Sequence, residues 1–465
     1  MTTQDSLFLL RQGNFFADEL RRIIQNDLIA KEFLKTCELY YKNENDIKRK
    51  TLATSLILEN LNYSKNSHPY LENFITQAVN YSLGKPVNKK FVKENDEKTF
   101  NENIDIKTFN LTLKRLMINS RLKGTSWLYC YAENIDGKSK FKFKIIPTEQ
   151  IIPIYRDGFG DEIQAIIRYY DFFDNDIKYT RVEYWFILDG VVYKEDWNLT
   201  DKNATCINPY TEYIANNQIL DYTLFPHLPF VQFKNNYKGI PDLQFIKDMI
   251  DKIDNIDSAE ANDVERLYFT FLKIKGYSGT KKENLSEYIQ QLHEIGAVLI
   301  DPDGDIFRDV ASVSNIYGEI LNKAEERLYS LAKAVNITKD GLGNTSGTAL
   351  KMMFAPLELK CTQTETEYQE SLDYFVELFN DFLELNNISK IESPDFEFTH
   401  EMMFNELENA QTKQIETNTA MMLKGTIPEK RVIEMLPQEF DSDKIISELE
   451  EERLNNLSNT GIDSV

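Results

Sequence analysis

Residues 239–272 read GIPDLQFIKDMIDKIDNIDSAEANDVERLYFTFL, and the architecture of the chain can be followed outward from them. Behind the Gly-Ile-Pro break, apolar residues recur at helical spacing and form one narrow seam. The seam consists of Leu243, Ile246, Ile250, Ile253 and Ile256. Four aspartates step by three residues and therefore wind slowly around the same helix, namely Asp248, Asp251, Asp254 and Asp257. This pattern is equally typical of a helix packed against identical neighbours and of a surface helix on its own domain.

The segments that follow complete an out-and-back arrangement. Residues 271–310 predict a small β/α insert that needs neighbours to be stable, because so short a module buries little surface. A second amphipathic helix returns over residues 316–337, and a glycine-rich loop follows it. The next helix continues to about Asn386 and should kink at Pro356, which lacks a backbone donor and clashes with the preceding turn. Such a sector fits a ring around a central passage better than it fits an enzyme pocket.

Helical and β-rich sequence divide the N-terminal half. The sequence pattern predicts helices at residues 1–66 and 106–123. It predicts a charged loop at residues 87–104 and a sheet-rich module at residues 125–232. The turn dipeptides of two hairpins in that module, which accept positive φ, are Asp136-Gly137 and Asp189-Gly190. With the helices that follow, the pattern predicts an α+β fold.

Composition limits the classes of function. The 465 residues carry 53 basic and 75 acidic side chains, a net charge of −22, which disfavours a protein that holds nucleic acid on a basic patch. The charge is compatible with a passage that DNA crosses without being held, and also with a solvated acidic surface. The N-terminal apolar run is too short for a signal peptide, and no stretch approaches the ~20 apolar residues of a membrane span. We expect a protein made and used in a cytoplasm, with no membrane partner.

The sequence shows no catalytic or metal-binding pattern. The four cysteines and four histidines are scattered, without the paired spacing of a zinc site, and the cysteines are predicted to be reduced thiols. The loop at residues 338–347 lacks the P-loop pattern, because Thr348 stands where a lysine is required. The loop is interpreted either as a flexible connector or as a mobile loop whose amides and Lys339 touch passing phosphates. We expect a protein that is not an enzyme and has no cofactor or metal.

A series of short motifs carries a family resemblance. The motifs are His68-Pro69-Tyr70, Leu83-Gly84-Lys85-Pro86, Ile145-Ile146-Pro147, Ile152-Pro153-Ile154-Tyr155, FVQFKNN at 230–236, SGTALK at 346–351 and LKGTI at 423–427. In this order they resemble the portal proteins of tailed bacteriophages, of the type found in siphophages of Gram-positive hosts. The resemblance covers most of the chain and depends on the series more than on any single motif.

The resemblance implies a portal-like ring subunit with named parts. The parts are a mixed wing (1–237), a stem helix (238–270), a small β/α clip insert (271–312), a second stem helix (313–337), a tunnel loop (338–347), a Pro-kinked wing helix (348–395) and a helical C-terminal crown (396–465). The tunnel-loop residues expected to face DNA are Lys339, Asn344, Thr345 and Ser346. The clip residues expected to contact partners are Lys273, Lys275, Lys281 and Lys282.

The implied function is that of a head–tail connector. Twelve subunits would form the channel at the unique capsid vertex, through which double-stranded DNA is packaged and ejected. The expected partners are the terminase large subunit, which supplies the ATPase, the head–tail adaptor, and the major capsid and scaffolding proteins. The ring would assemble in the host bacterial cytoplasm and end in the virion. Two alternatives stay open: a metal-dependent nuclease or hydrolase of phage origin, and a cytosolic scaffold or adaptor whose helical oligomers have no lumen.

Replacing Lys339 with Glu should impair DNA packaging or retention and spare ring assembly, because the substitution turns an attraction for phosphate into a repulsion. The measurement is the DNA content of particles assembled with the variant, beside electron microscopy of its rings. Particles that fill normally would remove Lys339 from the DNA-facing set.

Overall fold

The computed structural model describes thirteen stretches of the chain. They are residues 14–50, 64–135, 138–156, 162–188, 191–200, 204–212, 226–267, 271–275, 305–309, 316–336, 347–400, 417–419 and residue 422. The chain divides into two compact units, and most of the described residues belong to the first. The first unit comprises residues 1–334 and 360–398, and the second comprises residues 335–359 and 399–465.

Helices and strands are mixed along the described chain, so the α+β class is confirmed. The helices are α1 (Asn14–Ala30), α2 (Glu32–Tyr41), α3 (Asp46–Arg49), α4 (Tyr70–Leu83), α5 (Glu94–Asn103), α6 (Ile106–Lys123), α7 (Leu243–Leu267), α8 (Ile316–Ala332) and α9 (Gly347–Leu385). The strands are β1 (Asn88–Lys90), β2 (Thr125–Ile135), β3 (Lys138–Ile146), β4 (Ile151–Tyr155), β5 (Ile163–Asp174), β6 (Ile177–Leu188), β7 (Val191–Leu199), β8 (Ala204–Glu212), β9 (Phe230–Lys234), β10 (Phe271–Lys275), β11 (Asp305–Asp309) and β12 (Asp395–Glu397).

The predicted sheet-rich module consists of two antiparallel sheets. Strands β4 to β8 form a five-stranded meander in sequence order, and a three-stranded sheet has the order β3-β2-β9. Both predicted hairpins are confirmed, as β2 with β3 and β6 with β7. A third hairpin joins β5 to β6 through Asn175 and Asp176, whose φ angles are 46° and 64°. That turn was not predicted, although Asn and Asp are the side chains that best tolerate positive φ.

The largest core joins helices from both ends of the first unit to the inner face of the three-stranded sheet. Phenylalanines dominate it: the ring of Phe141 on β3 lies 5.3 Å from the ring of Phe379 on α9, and Phe109 on α6 lies 5.4 Å from Phe375. Residues of the α7 seam, among them Ile250 and Ile253, are buried in the same core. The seam therefore packs against its own chain, and neighbouring copies are not needed to cover it.

The prediction of a charged loop at residues 87–104 is wrong, because helix α5 occupies the second half of that range. The first turn of α5 carries Glu94, Asp96 and Glu97, and carboxylates there interact favourably with the helix dipole. Phe100 anchors the helix: its ring is fully buried and contacts Phe109 edge-on. A single apolar residue among the ten of α5 gives no periodic signal that could indicate this helix.

The long helix predicted after the glycine-rich loop is confirmed as α9, which has 39 residues and includes Pro356. The helix is continuous across the proline, and the kink expected there stays a prediction. Of the predicted tunnel loop, residues 338–346 lie outside the described residues, as does most of the predicted crown.

Candidate functional site

Helices α7 and α8 form an antiparallel hairpin whose apolar residues pack in the main core. Their antiparallel direction follows from one side chain: the Lys360 ammonium lies 2.7 Å from Asp242, just before α7, and donates to the carbonyl of Ala332, the last residue of α8, at 3.1 Å. At the other end the chain passes through the antiparallel pair β10–β11, in which Phe271 stands opposite Asp309. One end of the hairpin is therefore fixed to the body, and the other carries a small β module.

The fixed end is built around a buried carboxylate. Asp242 is 6% exposed, and its Oδ2 lies 2.7 Å from Lys360 Nζ and 3.6 Å from an Arg121 guanidinium nitrogen. Its Oδ1 accepts a hydrogen bond from the Asn235 side chain at 2.8 Å. Burial by itself would raise the pKa of Asp242, but the cations Lys360 and Arg121 outweigh it and hold that pKa below its usual value. Asp242 is therefore ionised at neutral pH.

A tight turn delivers Asp242 to this position. Gly124 and Gly239 have φ angles of +83° and +61°, and a Cβ on Gly124 would lie 2.0 Å from the carbonyl oxygen of Gly239. Only glycine fits this approach of two backbones. The backbone amide of Asn235 donates to the Gly124 carbonyl at 2.9 Å, and Thr364 Oγ1 donates to the backbone carbonyl of Asn235 at 2.9 Å. The motif at residues 230–236 thus supplies the residue that ties β9, α6 and α9 to the start of α7.

Replacing Asp242 with Ala should lower the free energy of unfolding by about 3–5 kcal/mol, because Arg121 and Lys360 would remain buried without their counter-charge. The control is Glu384→Ala, which breaks an exposed pair with Lys390 (2.9 Å) and should cost about 0–1 kcal/mol. Chemical unfolding of both variants measures the difference. Equal costs would show that the buried cluster does not anchor the hairpin.

A second anchor fixes α7 along its length to the N-terminal segment. Asp254 is fully buried and accepts hydrogen bonds from the Asn45 side chain at 2.6 Å and from the His68 backbone amide at 3.1 Å. Lys247, two turns earlier, bridges Asp46 at 2.6 Å and Asp251 at 2.7 Å. The aspartates counted in the sequence as winding charge thus include one that is a buried structural group.

His68 belongs to this second anchor. Helix α4 starts without a side-chain cap, and His68 Nδ1 lies 2.8 Å from Asp254 Oδ1. The hydrogen bond to Asp254 raises the pKa of His68; burial opposes it, and Asp257 and Glu325 add to the increase. His68 is protonated over a wider pH range than a free histidine, and its charge then attracts α7.

Because the folded pKa of His68 is raised above the ordinary value of about 6.5, its stabilising contribution is present below that pH and is lost as pH rises through the folded pKa. We expect the stability difference between the natural chain and His68→Gln to shrink from pH 6 to pH 8, measured by thermal unfolding. His227, whose pKa is raised by Asp381, remains in both proteins and cancels in the difference. A pH-independent difference would refute the ion pair.

The predicted site residues fall in three groups. Lys339, Asn344, Thr345 and Ser346 lie outside the described residues, as do Lys281 and Lys282. Lys273 and Lys275 lie on β10, opposite Phe307 and Asp305 of β11. Pro356 lies inside α9. The DNA-facing set therefore stays a prediction, and the anchors at Asp242 and Asp254 are contacts that sequence reasoning missed.

Within the part of the chain that the structure describes, no group of three or more His, Cys, Asp or Glu side chains is placed to hold a metal ion. No described helix is long and apolar enough to span a membrane. The described cysteines Cys37, Cys130 and Cys361 are buried free thiols, and burial raises the pKa of each.

Comparison with known proteins assigns this architecture to a class. The family model of phage portal proteins of the SPP1 Gp6-like type matches residues 20–456. The portal protein of Clostridium phage phiCD119 is 28% identical over 448 residues, which cover 90% of this chain and 92% of the relative. The portal protein of Bacillus phage SPP1 is 25% identical over 435 residues, which cover 89% and 82%.

Solved structures give looser matches. A chain from the virion of a native gene transfer agent particle aligns with a TM-score of 0.41 and 12% identity, covering 81% of this chain and 91% of that one. A chain from the neck of the native particle, computed with C12 symmetry, also gives a TM-score of 0.41 and 12% identity, with coverages of 82% and 93%.

The family match spans nearly the whole chain and identifies a component of the phage particle. The chain belongs to the phage portal protein family, of the SPP1 Gp6-like type, and its function is that of a phage portal protein. The resemblance drawn from the sequence motifs is confirmed. The alternative of a metal-dependent nuclease gains no support from any of these relatives.

Proposed function

We propose that twelve copies of this chain form a ring at one vertex of the capsid, with a central channel for double-stranded DNA. The match to the portal family over residues 20–456 carries this proposal. Membership of a structural family also favours a subunit that is not an enzyme, with the motor ATPase on another chain. The ring would assemble in the host bacterial cytoplasm and remain in the virion as the head–tail connector.

The α7–α8 hairpin is the proposed stem, with bounds 238–270 and 313–337. A helix of 25 residues such as α7 is about 37 Å long, so side-by-side hairpins would enclose a channel of considerable depth. The buried cluster at Asp242 supports the stem role, because it fixes the direction of each hairpin from the body of its own subunit. A head-to-tail contact repeated around an axis then closes a ring.

The other parts follow from their positions along the chain. Residues 1–237 and 348–395 are the proposed wing, residues 271–312 the clip and residues 396–465 the crown. The clip stands at the free end of the stem, where Lys273, Lys275, Lys281 and Lys282 would contact the terminase large subunit or the head–tail adaptor. The capsid and scaffolding proteins would contact the ring elsewhere.

The loop at residues 338–347 is the proposed DNA-facing element. Lys339 supplies a charge for phosphate, and Asn344, Thr345 and Ser346 supply polar groups. A kink at Pro356 in the following helix would let loop and helix shift without unfolding. The net charge of −22 on each chain favours transit over retention, because an acidic surface repels phosphate.

Negative-stain electron microscopy with native mass measurement tests this proposal. Rings with a central hole and about twelve copies are expected. Because self-association depends on concentration and partners, a protein that is monomeric alone is measured again with its scaffolding protein. A chain that stays monomeric there and cuts DNA with a divalent metal would contradict the portal role and restore the nuclease.

A further inference from the structure

A row of lysines stands out on this acidic chain. Residues 138–144 read KSKFKFK, so four of seven residues are lysines within a protein whose net charge is −22. Residues 138–144 form most of strand β3, in which alternate residues point to opposite faces of the sheet. The strand is therefore basic on one face and aromatic on the other.

The aromatic face is the one that packs inward. Phe141 is buried, and Phe143 packs against the same core; on the neighbouring strand Cys130 and Ala132 are buried too. Lys140, Lys142 and Lys144 consequently project from the opposite face. Lys140 and Lys144 are exposed, and Lys142 is half-buried. Among the described residues, neither Lys140 nor Lys142 makes an ion pair.

Strand β2 gives this face its second column of side chains. In the β2–β3 register, Tyr129 stands opposite Lys144, Tyr131 opposite Lys142, and Glu133 opposite Lys140. Directly opposite residues share a face of the sheet. The two tyrosine rings stack with centroids 5.6 Å apart, and the Lys144 ammonium lies 5.5 Å and 5.2 Å from their centres. The tyrosines thus hold one cation in place, as cation–π contacts do.

We propose that this face, the lysine strip formed by Lys140, Lys142 and Lys144 with Tyr129 and Tyr131, binds the phosphate backbone of double-stranded DNA. The strip is a contact additional to the tunnel loop. It is about 14 Å long at 3.4 Å per residue, which matches about four phosphates of one DNA strand at 3.4 Å per base pair. The choice of double-stranded DNA among polyanions rests on the proposed portal function.

The lysines of β3 have a second possible role, which is to protect the edge of the sheet. β3 is an edge strand, in the order β3-β2-β9, and lysines on edge strands hinder pairing with other chains. That use needs charge at the edge but no particular face. The lysine strip concentrates its charge on one face and supports it with two stacked rings, which favours a polyanion laid along the strand.

The test compares two double variants of equal charge in the assembled protein. Lys140→Glu with Lys142→Glu should weaken binding of a labelled DNA duplex at least about tenfold and reduce the slope of log K against log salt by about two, since each phosphate contact contributes about 0.9. The control, Lys98→Glu with Lys107→Glu, changes two exposed lysines of the same unit and should leave the slope unchanged. Glu133→Gln, which removes the carboxylate opposite Lys140, should strengthen binding.

Three other outcomes would each overturn the proposal that the lysine strip binds DNA. Equal loss in both double variants would mean that only net charge matters. Unchanged binding with increased aggregation would assign the lysines to edge protection. Loss of rings in the strip variant, with wild-type DNA affinity in the remaining species, would assign them to contact between copies. Ring counting by electron microscopy reports on the portal function separately, because a ring with wild-type subunit number that fails to bind DNA at the strip contradicts the lysine strip alone.

Discussion

The ionised carboxylate of Asp242, buried between Lys360 and Arg121, is the constraint on which the rest of the structure depends. It joins three parts of the chain that lie far apart in sequence: the last turn of α6 at Arg121, the residue before α7, and the first half of α9 at Lys360. A buried ion pair adds little net stability compared with apolar packing, but removing one partner is costly. Its role here is geometric, because Lys360 holds the start of α7 and the end of α8 together against the body of the subunit.

Helix α7 is rich in charged residues, and buried contacts within its own subunit nevertheless fix its position. Its apolar seam packs against the core of its own chain, and the buried Asp254 fixes it to Asn45 and His68. The hairpin is therefore held by its own subunit before any copies meet. In the ring proposed above, contacts between copies would then fall to exposed side chains.

The sequence predicted the features that local pattern encodes. The α7 seam has a 3.6-residue period, the Asp-Gly dipeptides mark two hairpins, and α9 has the length expected from its pattern. The buried charges were not predictable, since nothing local shows that Asp242 meets Lys360 across 118 residues or that Asp254 points inward. A hint existed: Asp254 lies four residues after Ile250 and thus on the buried stripe. Helix α5 was missed because its buried face consists of little more than Phe100.

A density map of the assembled ring by single-particle electron cryo-microscopy tests the central claim most directly. The map should place the α7–α8 hairpins side by side around the central passage, with the Asp242 end of each hairpin fixed in its own subunit and β10–β11 at the free end. Hairpins on the outer rim, with another element lining the passage, would contradict the assignment of the stem and the role given to the buried carboxylate.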